Sequence, residues 1–209
     1  MVHDASMAQE YAFRSALIVA LLAVFPIMLY HRIKAHRSRE PLDRRQEGVF
    51  ILATLRPVGL LFLVSLIVYL VNPARMAWSA IALPAWVRWS GLAAIAVAGA
   101  LLFWTLHSLG PNLTDTVVTR KTHTLVVKGP YRWVRHPFYD AVALLLFAIS
   151  LVAANWFLLL MGTIVLTLLV VRTPREEARL VARFGDQYRS YMAHTNRFVP
   201  ALGAGRRVR

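Results

Sequence analysis

Apolar residues in this chain fall into long runs, not into the two-residue alternation of strands or the heptads of a coiled coil. The first run predicts a helix over 13–30, with Pro26 as a kink. A second covers 49–71, with Arg56-Pro57 inside its start and Asn72-Pro73 at its end. Pro84 and Trp86 introduce a third over 89–106. Two more, 138–154 and 156–171, are separated only by Asn155. A helix that crosses a membrane needs about 20 apolar residues, and five such crossings are predicted. The gap at Asn155 requires a tight helical hairpin whose outer ends lie on one side. Before it, 107–136 is polar and long for a connection, which is usual for functional segments. Its Thr, Val, Leu and Tyr content and its Gly-Pro turn predict an ordered segment. After the hairpin, 176–192 places Ala178, Leu180, Val181, Phe184, Tyr188 and Tyr191 near helical spacing among Arg179, Arg183 and Arg189. That is an amphipathic helix for the membrane surface or for capping the domain.

Composition supports this class. Hydrophobic residues make up 58% and charged residues 16%, whereas soluble domains average about 45–50% and about 25%. The net charge of +14 raises nucleic acid as a partner. The basic residues cluster at the ends of apolar runs, so topology and lipid headgroups account for them and no nucleic-acid partner is expected. The absence of cysteine excludes disulfides, thiolate metal sites and cysteine nucleophiles. No basic region precedes the first run, so it reads as a retained helix and not a cleaved signal. Basic residues crowd 31–47, 120–135 and 172–189, while the connection between the second and third runs holds only Arg75 and Arg88. The positive-inside rule then places the N-terminus outside and the C-terminus in the cytoplasm, and five crossings give the same parity. His31 and His36 read as interfacial, as do Trp78, Trp86 and Trp89. Ala-, Arg- and Val-rich usage points to a prokaryotic inner or plasma membrane. The chain divides into 1–107, helices walling a substrate tunnel, 108–200, a core with the hairpin, and 201–209, a basic tail.

Candidate chemistry sits in two clusters. The segment from His123 to Tyr139 holds Lys128, Gly129, Tyr131, Arg132, Trp133, Arg135, His136 and Pro137. Arg172-Thr-Pro-Arg-Glu-Glu177 lies at the other end of the hairpin. Antiparallel neighbours bring the two together. Pro137 suits a helix start, and that helix end with Arg135 and His136 would hold an anionic group. Glu176 and Glu177 would hold a cation, and Tyr131, Trp133 and Tyr139 offer π-faces. The set fits a charged or zwitterionic cofactor at the membrane–cytoplasm boundary, with no metal. The plainer readings are a helix cap for His136, helix-start acids for Glu176-Glu177, and lipid-phosphate contacts for Arg120, Lys128, Arg132 and Arg135.

The segment 112–200 resembles the catalytic core of the isoprenylcysteine carboxyl methyltransferase family. The matching pieces are His123-Thr-Leu-Val126, Gly129, Tyr131-Arg-Trp-Val-Arg-His-Pro-Phe-Tyr139, Arg172 with Glu176-Glu177, Phe184-Gly-Asp-Gln-Tyr188, Tyr191 and Pro200. The resemblance implies an all-α integral membrane enzyme with a cytoplasmic cofactor-binding loop region, using S-adenosylmethionine and no metal. It implies cofactor contacts from His123, Thr124, Leu125, Val126, Gly129, Tyr131, His136, Pro137, Phe138, Tyr139 and Glu176. Arg172 would face the acceptor, with Arg135 and Glu176 completing the catalytic set. Two departures stand out: Asp140, where a small glycine is common, and Pro174, inside the usual acidic run. Methyl transfer from a sulfonium is an in-line displacement that needs alignment and exclusion of water. A carboxylate acceptor needs only a cation to hold it, while an amine needs a proton acceptor such as Glu176, Glu177 or Asp140. The expected function is transfer to a lipophilic or lipid-linked acceptor, with an isoprenylcysteine-like carboxylate as one case. Alternatives are a phospholipid amine N-methyltransferase, an NADPH-dependent membrane reductase with its own Arg-His-Pro region, and a non-enzymatic scaffold.

Overall fold

The computed structural model describes residues 2–36, 51–110 and 124–200. Among these, α1 (Val2–His36), α2 (Arg56–Val71), α3 (Ala85–Leu109), α4 (Pro137–Ala153), α5 (Trp156–Phe184) and α6 (Asp186–His194) form an all-helical bundle without a strand. Four segments are long and apolar enough to cross a membrane: 8–31, 53–71, 85–109 and 156–184. α4 is apolar but shorter, at 17 residues. The protein is a multi-pass integral membrane protein, as the apolar runs predict. Its outer faces carry Val19, Leu22, Phe25, Leu63, Ile67, Phe103 and Val170, all well exposed, which suits lipid as the solvent. Inside, Phe13, Leu17, Leu66, Ile95, Leu102, Ala148, Val152 and Leu158 form one cluster.

Close approach of α3 and α4 depends on Gly91. A Cβ there would lie 2.8 Å from Val152 Cγ2 and 3.1 Å from the Ala148 carbonyl oxygen. Small residues at such crossings let backbones pack where lipid supplies no hydrophobic driving force.

The hairpin between α4 and α5 turns within two residues. Ala154 adopts the left-handed region (φ 47°, ψ 51°) and ends α4. Asn155 then caps α5 by accepting from the Leu158 amide at 3.0 Å. Its own amide donates to Ser79 Oγ at 2.7 Å, and the Ala154 carbonyl accepts from Ile81 at 2.8 Å. The buried asparagine therefore joins the hairpin to the short 3-10 turn Pro73–Ser79 between α2 and α3.

Three sequence expectations change. α5 does not end near residue 171: it runs through Pro174 to Phe184 and takes in the first part of the predicted amphipathic helix. Proline removes one ladder donor. Thr173 and Glu177 are buried on either side of it, and Glu177 ties the helix to Arg135 and Arg197. The break comes instead at Gly185 (φ 56°), after which α6 turns back. Arg88, read as a loop residue, lies in the first turns of α3 and is buried. It donates from Nε to the Val152 carbonyl at 2.8 Å and from Nη1 to Glu10 Oε2 at 2.7 Å. Tyr69 donates to Glu10 Oε1 at 2.7 Å, and the guanidinium stands 4.0 Å over the Phe13 ring. One polar knot thus ties α1, α2, α3 and α4 at the end that carries the hairpin turn. His31, read as interfacial, is buried beside Tyr30 and Phe103.

Arg88→Met should lower the thermal midpoint in detergent by an amount equivalent to about 3 kcal/mol, the low end for opening a buried pair, because Glu10 keeps some solvent contact. The Glu10→Leu/Arg88→Leu double variant should lose less than the sum of its single variants. An additive double-mutant cycle would show that the pair is not coupled.

Candidate active site

The chain enters α4 through a stretch without regular secondary structure, 124–128, and a 3-10 turn at Gly129–Arg132. Thr124 is exposed, Leu125 and Val126 are half-buried, and His123 lies outside the described residues. Gly129 has φ 63°, and a Cβ there would stand 2.2 Å from Ser108 Oγ. Only glycine lets this turn press onto the end of α3. Trp133 meets Trp104 edge-on at 5.2 Å and carries Arg132 over its ring at 4.1 Å. Tyr131 is half-buried, and desolvation raises the pKa of its phenol, so the hydroxyl stays protonated.

The two predicted clusters do meet. Tyr139, in the first turn of α4, donates to Glu176 Oε2 at 2.6 Å. Arg172 approaches the same oxygen with Nε at 4.0 Å. That Nε is buried and has no hydrogen-bond partner among the described residues. His136 is buried, stacks on Tyr139 at 5.3 Å with an interplanar angle of 17°, and has Phe198 on another side at 5.8 Å. Pro137 is buried and Phe138 half-buried. The amides of Tyr139 and Asp140 both point to the His136 carbonyl, at 2.9 and 3.4 Å, so two amides of the expected anion cradle are already taken. Asp140 is half-buried, and its carboxyl makes no hydrogen bond or ion pair among the described residues.

Glu177 does not wait for a ligand cation. Its Oε1 accepts from Arg135 Nε at 2.8 Å and lies 2.8 Å from Nη2. Its Oε2 accepts from Arg197 Nε at 2.9 Å and Nη2 at 2.7 Å. His136 Nε2 is 3.4 Å from Oε1. Arg135 also reaches the carbonyls of Met192 and Thr195. Its guanidinium is therefore spent on the protein's own framework. Sequence reading missed Arg197, Tyr191 as a donor to the Tyr131 carbonyl, and the Phe198 contact. Arg197 lies 20 residues beyond Glu177, past a helix break, where no periodicity links the two.

Residues 91–182 match the family model described as the isoprenylcysteine carboxyl methyltransferase (ICMT) family. The chain is 31% identical over 138 residues to the Bacillus subtilis protein YpbQ, whose name assigns no function, covering 63% of this chain and 76% of that one. It is 28% identical over 134 residues to the protein-S-isoprenylcysteine O-methyltransferase of Mus musculus, covering 56% of this chain and 42% of the relative. This chain belongs to the isoprenylcysteine carboxyl methyltransferase family. The human enzyme of the same name is 27% identical over the same length, and again the match covers 42% of it, so the chain spans under half the length of these mammalian relatives. Among solved structures, the eukaryotic intramembrane Ras methyltransferase aligns with a TM-score of 0.51 at 19% identity, over 90% of this chain and 68% of that one. That likeness concerns the fold. Family membership places the protein among the membrane methyltransferases, and the matched region contains all of the Tyr131–Tyr139 segment with Arg172 and Glu176.

Burial lowers the pKa of His136 against the upward pull of Glu176 and Glu177. The folded state therefore binds fewer protons than the unfolded one just below the ordinary value of 6.5. The stability that follows is complete above that value and is lost as pH falls through it toward the folded pKa. Melting midpoints should drop on acidification from about pH 7.5 to about pH 5.5, and His136→Gln should flatten part of that slope. Parallel slopes in the two proteins would rule out His136 as its source.

Proposed function

We propose that the protein transfers the methyl group of S-adenosylmethionine to a lipophilic acceptor, with its site on the cytoplasmic face, the N-terminus outside and a prokaryotic plasma membrane as its setting. The observation that carries this reading is the meeting of the His136–Tyr139 turn with Arg172 and Glu176 at one end of the hairpin, inside the family-matched region. The basic residues at that end support the orientation.

When bound, the cofactor supplies an activated methyl sulfonium, so the protein's part is to orient, hold charge and exclude water. Glu176, fixed by the Tyr139 hydroxyl, offers a carboxylate for a cationic group. Tyr139 and His136 present stacked rings, and neutral His136 adds no charge repelling a sulfonium. Thr124, Leu125, Val126, Gly129, Tyr131, Pro137 and Phe138 would form the remaining wall, with His123 as its expected continuation. Arg135 acts by positioning, through Glu177 and the carbonyls it holds. Arg172 has a buried donor to spare, which fits an acceptor oxygen. A carboxylate held there needs no general base, and this favours an isoprenylcysteine-like carboxylate over a phospholipid amine. The family match favours methyl transfer over the reductase reading.

Calorimetry on the protein in nanodiscs should detect S-adenosylhomocysteine, and a null titration together with a melting shift from NADPH would overturn the reading. Labelled cofactor in membranes should yield base-labile esters, whereas label retained in lipid amines would reassign the acceptor. Arg172→Met should raise the acceptor KM by about ten- to a hundredfold, the loss of one buried charge-assisted contact of about 1.5–3 kcal/mol. The cofactor KM should stay near that of the unmodified protein.

A further inference from the structure

The chain after α6 returns to the entry of α4. Val134 and Asn196 pair in a parallel bridge. The Arg135 amide donates to the Asn196 carbonyl at 2.8 Å, and the His136 amide to the Arg197 carbonyl at 3.0 Å. These two residues directly precede the proline that starts α4, so the helix cannot satisfy their amides. The strap 195–198 does so instead. Its side chains extend the same contact: Arg197 closes on Glu177 Oε2, and Phe198 lies against the His136 ring. Tyr191 of α6 holds the carbonyls of Tyr131 and Val134 from the same direction. Tyr131 and residues 134–136 of the entry segment are thus gripped from the C-terminal side.

We propose that 195–198 is a latch for the active site and that Arg197 is a positioning residue for cofactor binding, acting through Glu177 on Arg135 and His136. Glu177 is 3% exposed, and each of its oxygens is assigned to one arginine. Without Arg197, Oε2 is a buried acceptor lacking its charged partner, and such a group moves toward another donor or toward water. The nearest competing donors are those of Arg135, on Oε1. Any such shift carries Arg135 and the adjacent His136 with it, and so the rings that face Tyr139. Arg197 is 43% exposed on its side chain while Glu177 is buried at 4%. The latch is therefore closed from the solvent edge, where its loss leaves the apolar core of the bundle intact. The role in cofactor affinity rests on the methyltransferase reading, but the latch itself does not.

Two readouts separate these claims, both on the full chain in nanodiscs. Amide hydrogen exchange at Arg135 and His136 reports the latch without any ligand. Arg197→Met should speed it at least tenfold and Arg197→Lys should recover part of the protection, with exchange in α3 unchanged. Unchanged exchange at residues 135 and 136 in Arg197→Met would overturn the latch, and so would an equal rise throughout α3. Titration with S-adenosylhomocysteine and steady-state kinetics report positioning. Arg197→Met should weaken that ligand and raise the cofactor KM about tenfold, with the acceptor KM within twofold and partial rescue in Arg197→Lys. Affinity equal to that of the unmodified protein, or equal losses in both KM values, would overturn the positioning role. Should the unmodified protein fail to bind S-adenosylhomocysteine, the cofactor reading and with it the positioning role fall, and the exchange data alone decide the latch.

Discussion

The architecture of the candidate active site depends on one buried carboxylate. Glu177 lies on α5 beyond the apolar run, out of contact with water, and a lone charge in such a place would be strongly disfavoured. Two arginines make it tolerable. Arg135 comes from the segment entering α4 and Arg197 from the strap after α6. The carboxylate thus determines where three separate stretches of chain must lie. It also explains why α5 continues past Pro174: a helix ending at the apolar boundary would leave Glu176 and Glu177 without the geometry that points one at Tyr139 and the other at Arg135.

Adjacent acids with different environments divide the labour. Glu176 faces Tyr139 and Arg172 and keeps some solvent contact, whereas Glu177 is sealed in the framework. The same contrast separates Arg135 from Arg172. Arg135 spends its donors on Glu177 and backbone carbonyls, while Arg172 retains a buried donor without a hydrogen-bond partner among the described residues. An unsatisfied buried donor is costly in a helix with nothing to bind, and that cost favours a ligand group there. The Asp140 carboxyl has no side-chain partner among the described residues, and its place in the first turn of α4 suits a helix N-terminus.

At the opposite end, the Glu10–Tyr69–Arg88 knot and Asn155 perform the matching structural task. They gather α1 to α4 and the hairpin turn around satisfied polar groups, where apolar contacts alone leave helix register weakly specified. The bundle is therefore held at both ends by polar interactions, with the buried apolar cluster between them.

The apolar runs determined the helices, their number and the hairpin, because a bilayer accepts only segments that satisfy their own backbone bonds. The meeting of Tyr131–Tyr139 with Arg172–Glu177 was legible as well, since a hairpin of antiparallel helices returns its outer ends to one side. That α6 is a separate helix after a break was not legible, nor that Arg197 closes on Glu177. Both depend on Gly185 breaking the helix and on contacts between residues distant in sequence. Arg88 looked like a loop residue, because one-dimensional hydropathy cannot see that four helices converge on its guanidinium and on Glu10. Local sequence determined the elements through periodicity and solvent. Only the tertiary structure decided which charge answers which, because pairing is a property of distance in space and not of spacing along the chain.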